Sequence, residues 1–293
     1  MTMSVLAGRP ERRRHPALGL AHIVLSDPLN VVAFALLTVI VLMGIFGPYV
    51  VPYDPLRSSA LEALLPPSAA HWFGTDELGR DVFSRVVVAT RLDLLISVSA
   101  VALSLAVGST IGLLAGYYGG WFDRISGRLI DTIMAFPLFV LAMGIVSAAG
   151  NTVANVVYAT AIINLPFYAR LVRAEVLVRR EAGFVMAARL CGNPDWRILA
   201  FHIFPNTLPP LMIQASLNMG WSIMNAAGLS FIGLGVQPPT AEWGILVAQG
   251  ANFIVSGEWW IALFPGAVLM VSIFTFNLLG DVVRDLVDPL RRV

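Results

Sequence analysis

Apolar residues fall into long unbroken runs along this chain, and polar residues gather between them. A helix needs about 20 predominantly apolar residues to cross a bilayer. Six such runs are present: Val31–Val51, Leu94–Tyr118, about Leu129–Ala149, about Val153–Ala169, about Asn206–Ser230 and about Trp259–Gly280. The pattern predicts an all-α, polytopic membrane protein with six transmembrane helices. It divides the chain into an N-terminal segment (1–30), a first helix (31–51), an external segment (52–93), a five-helix core (94–282) and a tail (283–293). A polar loop, residues 170–205, interrupts the core. Neither an internal repeat nor a low-complexity tract is visible.

Composition agrees with lipid as the solvent. Hydrophobic residues make up 57% of the 293, charged residues 13%, and mean hydropathy is +0.78. Soluble domains carry about 25% charged residues. The first run follows "RPERRRH". It is longer than a signal-peptide core and lacks a small-x-small cleavage site, so it reads as a retained helix. All nineteen basic residues are arginine. With the N-terminus inside, fifteen of them fall in cytoplasmic segments: the N-terminus, 119–128, 170–205 and the C-terminus. Arg57, Arg80, Arg85 and Arg91 share the 52–93 segment with six acids. The positive-inside rule therefore predicts cytoplasmic termini. The external segments, 52–93 and about 231–258, carry Pro, Gly and Trp and are expected to hold short helices lying on or dipping into the membrane.

The runs exclude several functions by what they lack. Gradient-driven carriers usually place ionisable groups inside the membrane. Thr132–Ala169, Ile203–Ala241 and Trp259–Gly280 contain no charged residue or histidine. A gradient-driven carrier or channel is thus the alternative reading, not the main one. His15, His22, His71 and His202 have no metal-site spacing, and a lone Cys191 excludes an internal disulfide. Without lysine there is no P-loop and no kinase-type site. "GLSF" (228–231) has no mid-span histidine to serve a serine nucleophile. No cofactor and no metal are expected. Gly108, Gly112 and Gly116 form two overlapping G-x-x-x-G steps. They predict close helix packing, within this subunit in preference to against a second one. Gln214, Asn218 and Asn225 share one helical face, which points inward to a translocation path or a neighbouring helix.

The polar loop is built as helix, turn, helix. "RREAGFVMAARLC" favours a helix that Gly192 stops. Asn193 is expected to cap a second helix with Pro194 at its first position and Asp195 in its first turn. Pro205 leads into the fifth run. The loop is too short for a DNA-binding domain with a core of its own. A plain solvated loop is the simpler alternative. The preferred reading is a docking helix, with Ala187 and Ala188 as a small-residue surface for a partner. Cys191 beside the turn reads as a small packing residue.

"MAARLCGNPDWRILAFHIFP" resembles the cytoplasmic EAA loop of permease subunits of bacterial ATP-binding-cassette importers. Ala187, Ala188, Gly192 and Pro205 match in place. Met186 stands at the family's glutamate position, and Phe204 replaces a leucine. "HWFGTDELGRDVFSR", "YYGGWFDRISGRLIDTIMAFP", "LSFIGLGVQPPTAEWG" and "GDVVRDLVDP" are similar to the C-type permease of the dipeptide, oligopeptide and nickel importers. The likeness runs from about residue 28 to 293. It implies a type I importer permease fold in the bacterial inner membrane and no catalysis by this subunit. It implies a homologous second permease, two cytoplasmic ATPases and an external solute-binding protein as partners. Peptides or a related small solute would be the cargo. Met186, Ala187, Ala188, Gly192, Asp195 and Pro205 would couple to the ATPases, and Gln214, Asn218 and Asn225 would line the path.

Overall fold

The computed structural model describes residues 27–287. The expectations for residues 1–26 and 288–293, including Arg9, Arg12, Arg13, Arg14, Arg291 and Arg292, lie outside the described residues. The described part is all-α. Its helices are α1 (Pro28–Val50), α2 (Val82–Tyr118), α3 (Gly120–Ala135), α4 (Leu138–Ala149), α5 (Val153–Arg179), α6 (Gly183–Leu190), α7 (Asp195–Arg197), α8 (Phe204–Phe231), α9 (Trp243–Ala251) and α10 (Trp260–Val287). A π-helical turn, Ile198–Ile203, joins α7 to α8 without a break.

The six predicted runs all lie in helices, with three changes at their ends. The second helix starts at Val82, twelve residues before the predicted Leu94. Asp81 caps it by accepting from Ser84 N at 2.8 Å. Arg85, which reads in sequence as loop, is fully buried and paired with Asp76 at 2.8 Å; Asp76 also holds Arg80 at 2.7 Å. These buried pairs fasten the 52–81 segment to the start of α2. The third run is broken: α3 and α4 meet at 94°. Pro137 forces Phe136 into extended backbone and ends α3. The fourth run continues as helix to Arg179, into the predicted loop.

α1, α2 and α10 are long and apolar enough to cross a membrane, and the bent α3–α4 pair makes a fourth candidate. α5 and α8 fall below that hydropathy. They bury polar groups against other helices: Thr160 and Asn164 on α5, Ser216, Asn218, Ser222 and Asn225 on α8. Asn164 Nδ2 donates to Ser222 Oγ at 3.1 Å across the two.

The glycines of α2 belong to this subunit's own packing. A Cβ at Gly108, Gly112 or Gly116 would lie 2.8, 2.5 or 2.9 Å from the carbonyl oxygens of Leu165, Ala169 and Arg173 on α5. α2 and α5 make the most extensive helix contact of the fold. In lipid, small residues are what permits such backbone approach.

Part of the 231–258 segment dips inward, one of the two placements expected for it, while residues 237–240 stay exposed. α9 is inserted among α2, α8 and α10, with Trp243, Gly244 and Ile245 buried. Two buried carboxylates meet at its N-terminus. Glu242 accepts from Gly244 N and Ile245 N at 2.9 and 3.0 Å, and Asp93 of α2 accepts from Trp243 N at 3.1 Å. Trp243 Nε1 donates to Val86 O at 3.1 Å.

Candidate functional site

α6, its turn, α7 and the π turn form one packed unit. α6 buries Val185 and Ala188 against Ile198, Leu199 and Ile203, on a seat of Tyr117 from α2 and Val172 and Val176 from α5. The turn after α6 is a Schellman motif. Gly192 has φ +74°, its N–H bonds Arg189 O at 2.9 Å, and Asn193 N–H reaches Ala188 O at 3.2 Å. The predicted cap is therefore different: Pro194, not Asn193, is the N-cap, and α7 begins at Asp195. The Asn193 amide is spent on Ala188 O at 3.1 Å.

Polar contacts pin this unit to the bundle. Tyr117 Oη donates to Asp195 Oδ1 at 2.6 Å. The Arg189 guanidinium sits over the Tyr117 ring, 5.3 Å from its centroid. The neighbouring Tyr117 hydroxyl holds Arg189 above its ordinary pKa. Just before the unit, Arg180 at the C-cap of α5 donates to Gly116 O at 3.0 Å and ties α5 to α2. Outward, the unit shows exposed apolar side chains: Phe184, Met186 and Leu190, with Trp196, under the Arg197 guanidinium, and Phe201 beside it. Leu190 is 90% exposed. Ala187 is exposed beside them, whereas Ala188 is buried. The expected paired-alanine surface is thus corrected to Ala187 with its larger apolar neighbours. Cys191 is exposed rather than packed.

The π turn has a cause in sequence. Pro205 has no N–H to continue an i→i−4 ladder, and Pro209 and Pro210 remove two more donors. Phe204 N–H bonds Leu199 O, five residues back. Asn206 Nδ2 and Thr207 Oγ1 cover the carbonyls of His202 and Phe204 at 2.6 and 2.8 Å. Helix α8 thus continues from the loop through a thinly bonded stretch, where π geometry often marks function.

Gln214, Asn218 and Asn225 sit further along α8, apart from the loop unit. Gln214 Nε2 donates to Asn218 Oδ1 at 3.0 Å, and Asn225 Nδ2 donates to Trp221 O of its own helix at 2.8 Å. Asn218, with Phe167, Trp221, Met224 and Asn277, edges an open groove of about 550 Å³. Asn225 is buried away from it.

Residues 108–293 match the model of the binding-protein-dependent transport system inner membrane component family. The chain belongs to this family. Residues 23–67 also match the N-terminal TM domain of oligopeptide transport permease C. The chain is 43% identical over 284 residues to the probable D,D-dipeptide transport system permease protein of Escherichia coli (strain K12), covering 97% of this chain and 95% of that one. It is 42% identical to a dipeptide transport system permease protein of Alkalihalophilus pseudofirmus, over 90% and 86% of the two chains. It is 40% identical to a glutathione transport system permease protein of Pectobacterium atrosepticum, over 90% and 88%.

The protein is therefore a multi-pass inner-membrane permease of an ATP-binding-cassette system, with the type I permease fold. Sequence reasoning did not find the permease's Tyr117, Arg180 or Arg189. Tyr117 lies in the "YYGG" end of α2, and only the fold brings it to Asp195, 78 residues away.

Proposed function

We propose that this permease pairs with a homologous permease, forms with it a path for small peptides, and is driven by two cytoplasmic ATPases that dock on α6. The names of its relatives, which transport dipeptides, D,D-dipeptides and glutathione, support a small peptide as cargo. One observation carries the coupling role. An exposed apolar surface of Phe184, Met186 and Leu190 is built on a packed seat that is continuous with a membrane helix. A soluble motor gripping this surface would move α8 through the π turn. The Schellman turn at Gly192 holds α6 and α7 at a fixed angle, and Pro205 marks where the lever enters the bilayer. Met186 supplies apolar contact area where the family resemblance implies a carboxylate.

In this reading the subunit performs no chemistry, and ATP is hydrolysed by the partners. A binding protein delivers peptide to the 52–81 and 232–259 surfaces. Six helices span the membrane with both termini cytoplasmic: α1, α2, the α3–α4 pair, α5, α8 and α10. α5 and α8 need little hydropathy because partner helices cover their polar faces. Asn218 and Gln214 face the path, and Asn225 supports the helix from inside.

Gly192→Glu tests this in the assembled importer. Uptake and transport-stimulated ATPase should fall at least about tenfold, with membrane insertion unchanged. Full uptake in that variant would sink the docking role.

A further inference from the structure

We propose that Arg124 and Arg128 of α3 hold the phosphate of an anionic phospholipid whose apolar part lies against Trp121, Ile125 and Leu129. The site goes beyond peptide transport and uses none of the coupling residues. α3 turns 94° from α4 and lies beside the last turns of α2 and beside Ala169, Arg170 and Arg173 of α5. Gly119 and Gly120, with φ of +64° and +60°, let the chain make that turn out of α2. On its inner side α3 buries Ser126 and Ile130. On its outer side Trp121 is 75% exposed, Ile125 47% and Leu129 62%, one above another at i, i+4 and i+8.

Charge selects the occupant. Both acids of α3 that face the bundle are taken: Arg173 holds Asp123 with two bonds at 2.5 and 2.8 Å, and Arg170 holds Asp131 at 2.6 Å. Arg124 and Arg128, one turn apart, have no carboxylate partner among the described residues. They stand between a groove of about 420 Å³, which also holds the Asp123–Arg173 and Asp131–Arg170 pairs, and an apolar cleft of about 320 Å³ lined by Trp121, Ile125, Leu129 and Thr132. Two uncommitted guanidiniums bind a phosphate well. An indole and aliphatic stripe alongside them fits acyl chain and glycerol, which a free anion lacks. A protein partner seated on this face would have to bury both cations.

The test uses the full chain, purified with its partner subunits in neutral detergent. Native mass spectrometry follows retention of phosphatidylglycerol against phosphatidylcholine with the same acyl chains. The wild type should prefer phosphatidylglycerol by on the order of tenfold, and Arg124→Gln with Arg128→Gln should abolish the preference. The doubly Lys-substituted variant should keep it. Equal retention of both lipids by the wild type, or an unchanged preference in the Gln variant, would overturn the site. Displacement of the lipid by excess inorganic phosphate would assign the arginines to a soluble anion and overturn it too. So would an Ile125→Cys variant that cross-links to the second permease, because protein would then cover the stripe.

Discussion

A Cβ at Gly192 would meet no atom within 4 Å, so replacing this residue costs backbone strain rather than collision. Holding φ at +74° without glycine costs about 1–2 kcal/mol. Gly192→Ala should therefore lower the thermal midpoint slightly and leave partial uptake, in contrast to the charged Gly192→Glu. Ala188 is the opposite case: it is buried in the loop's core. Ala188→Phe should destabilise by roughly 1–3 kcal/mol through overpacking, seen as a lower melting temperature of the purified subunit. An unchanged midpoint would remove α6 from its seat. Gly192 was legible in the sequence because a glycine between a helix former and Asn-Pro has few other uses. Ala187 and Ala188 were not separable there. Adjacent residues on a helix point about 100° apart, and only the neighbours decide which of them is covered. Asn193 misled for a local reason: its amide satisfies the carbonyl left open by the preceding helix instead of capping the next.

The α2 glycine ridge gives a test of the element as a whole. Gly112→Val should clash with Ala169 O and Val172 and lower the yield of folded permease in detergent. Gly127→Val should not, since nothing lies within 4 Å of a Cβ there. Size-exclusion profiles of the two variants would show the difference, and equal profiles would contradict intrasubunit packing. At α9, Glu242→Ala leaves two buried N–H groups without their acceptor and should cost about 1–2 kcal/mol. Faster hydrogen exchange across Trp243–Ala251 would report it. The period and length of apolar runs made the helices readable, but not their ends. Charges at Arg85 and Asp93 read as loop, yet a buried partner for the first and a backbone donor for the second let α2 start early. Pro137 stood in plain sight in the third run; what the sequence did not show was the size of the bend.

At the scale of the whole molecule, the all-α permease architecture was legible from composition and apolar runs, and the family from several separate motifs. The polar face of α8 was legible as inward-facing, while its neighbours were not, because hydropathy carries no information about which helices meet. In the proposed function this permease moves its cargo by a motor attached at α6, not by an ion gradient. Ionisable groups buried deep within the helices would favour a gradient. Asp93 lies within α2, but its Oδ2 and the Glu242 carboxylate are both engaged by backbone N–H groups at the start of α9. The direct measurement is dipeptide uptake into liposomes holding the permease pair, its ATPases and the binding protein, with ATP inside or with a proton or sodium gradient alone. A motor docked on α6 predicts accumulation only with ATP, lost in Gly192→Glu. Accumulation driven by either gradient in the absence of ATP would contradict it.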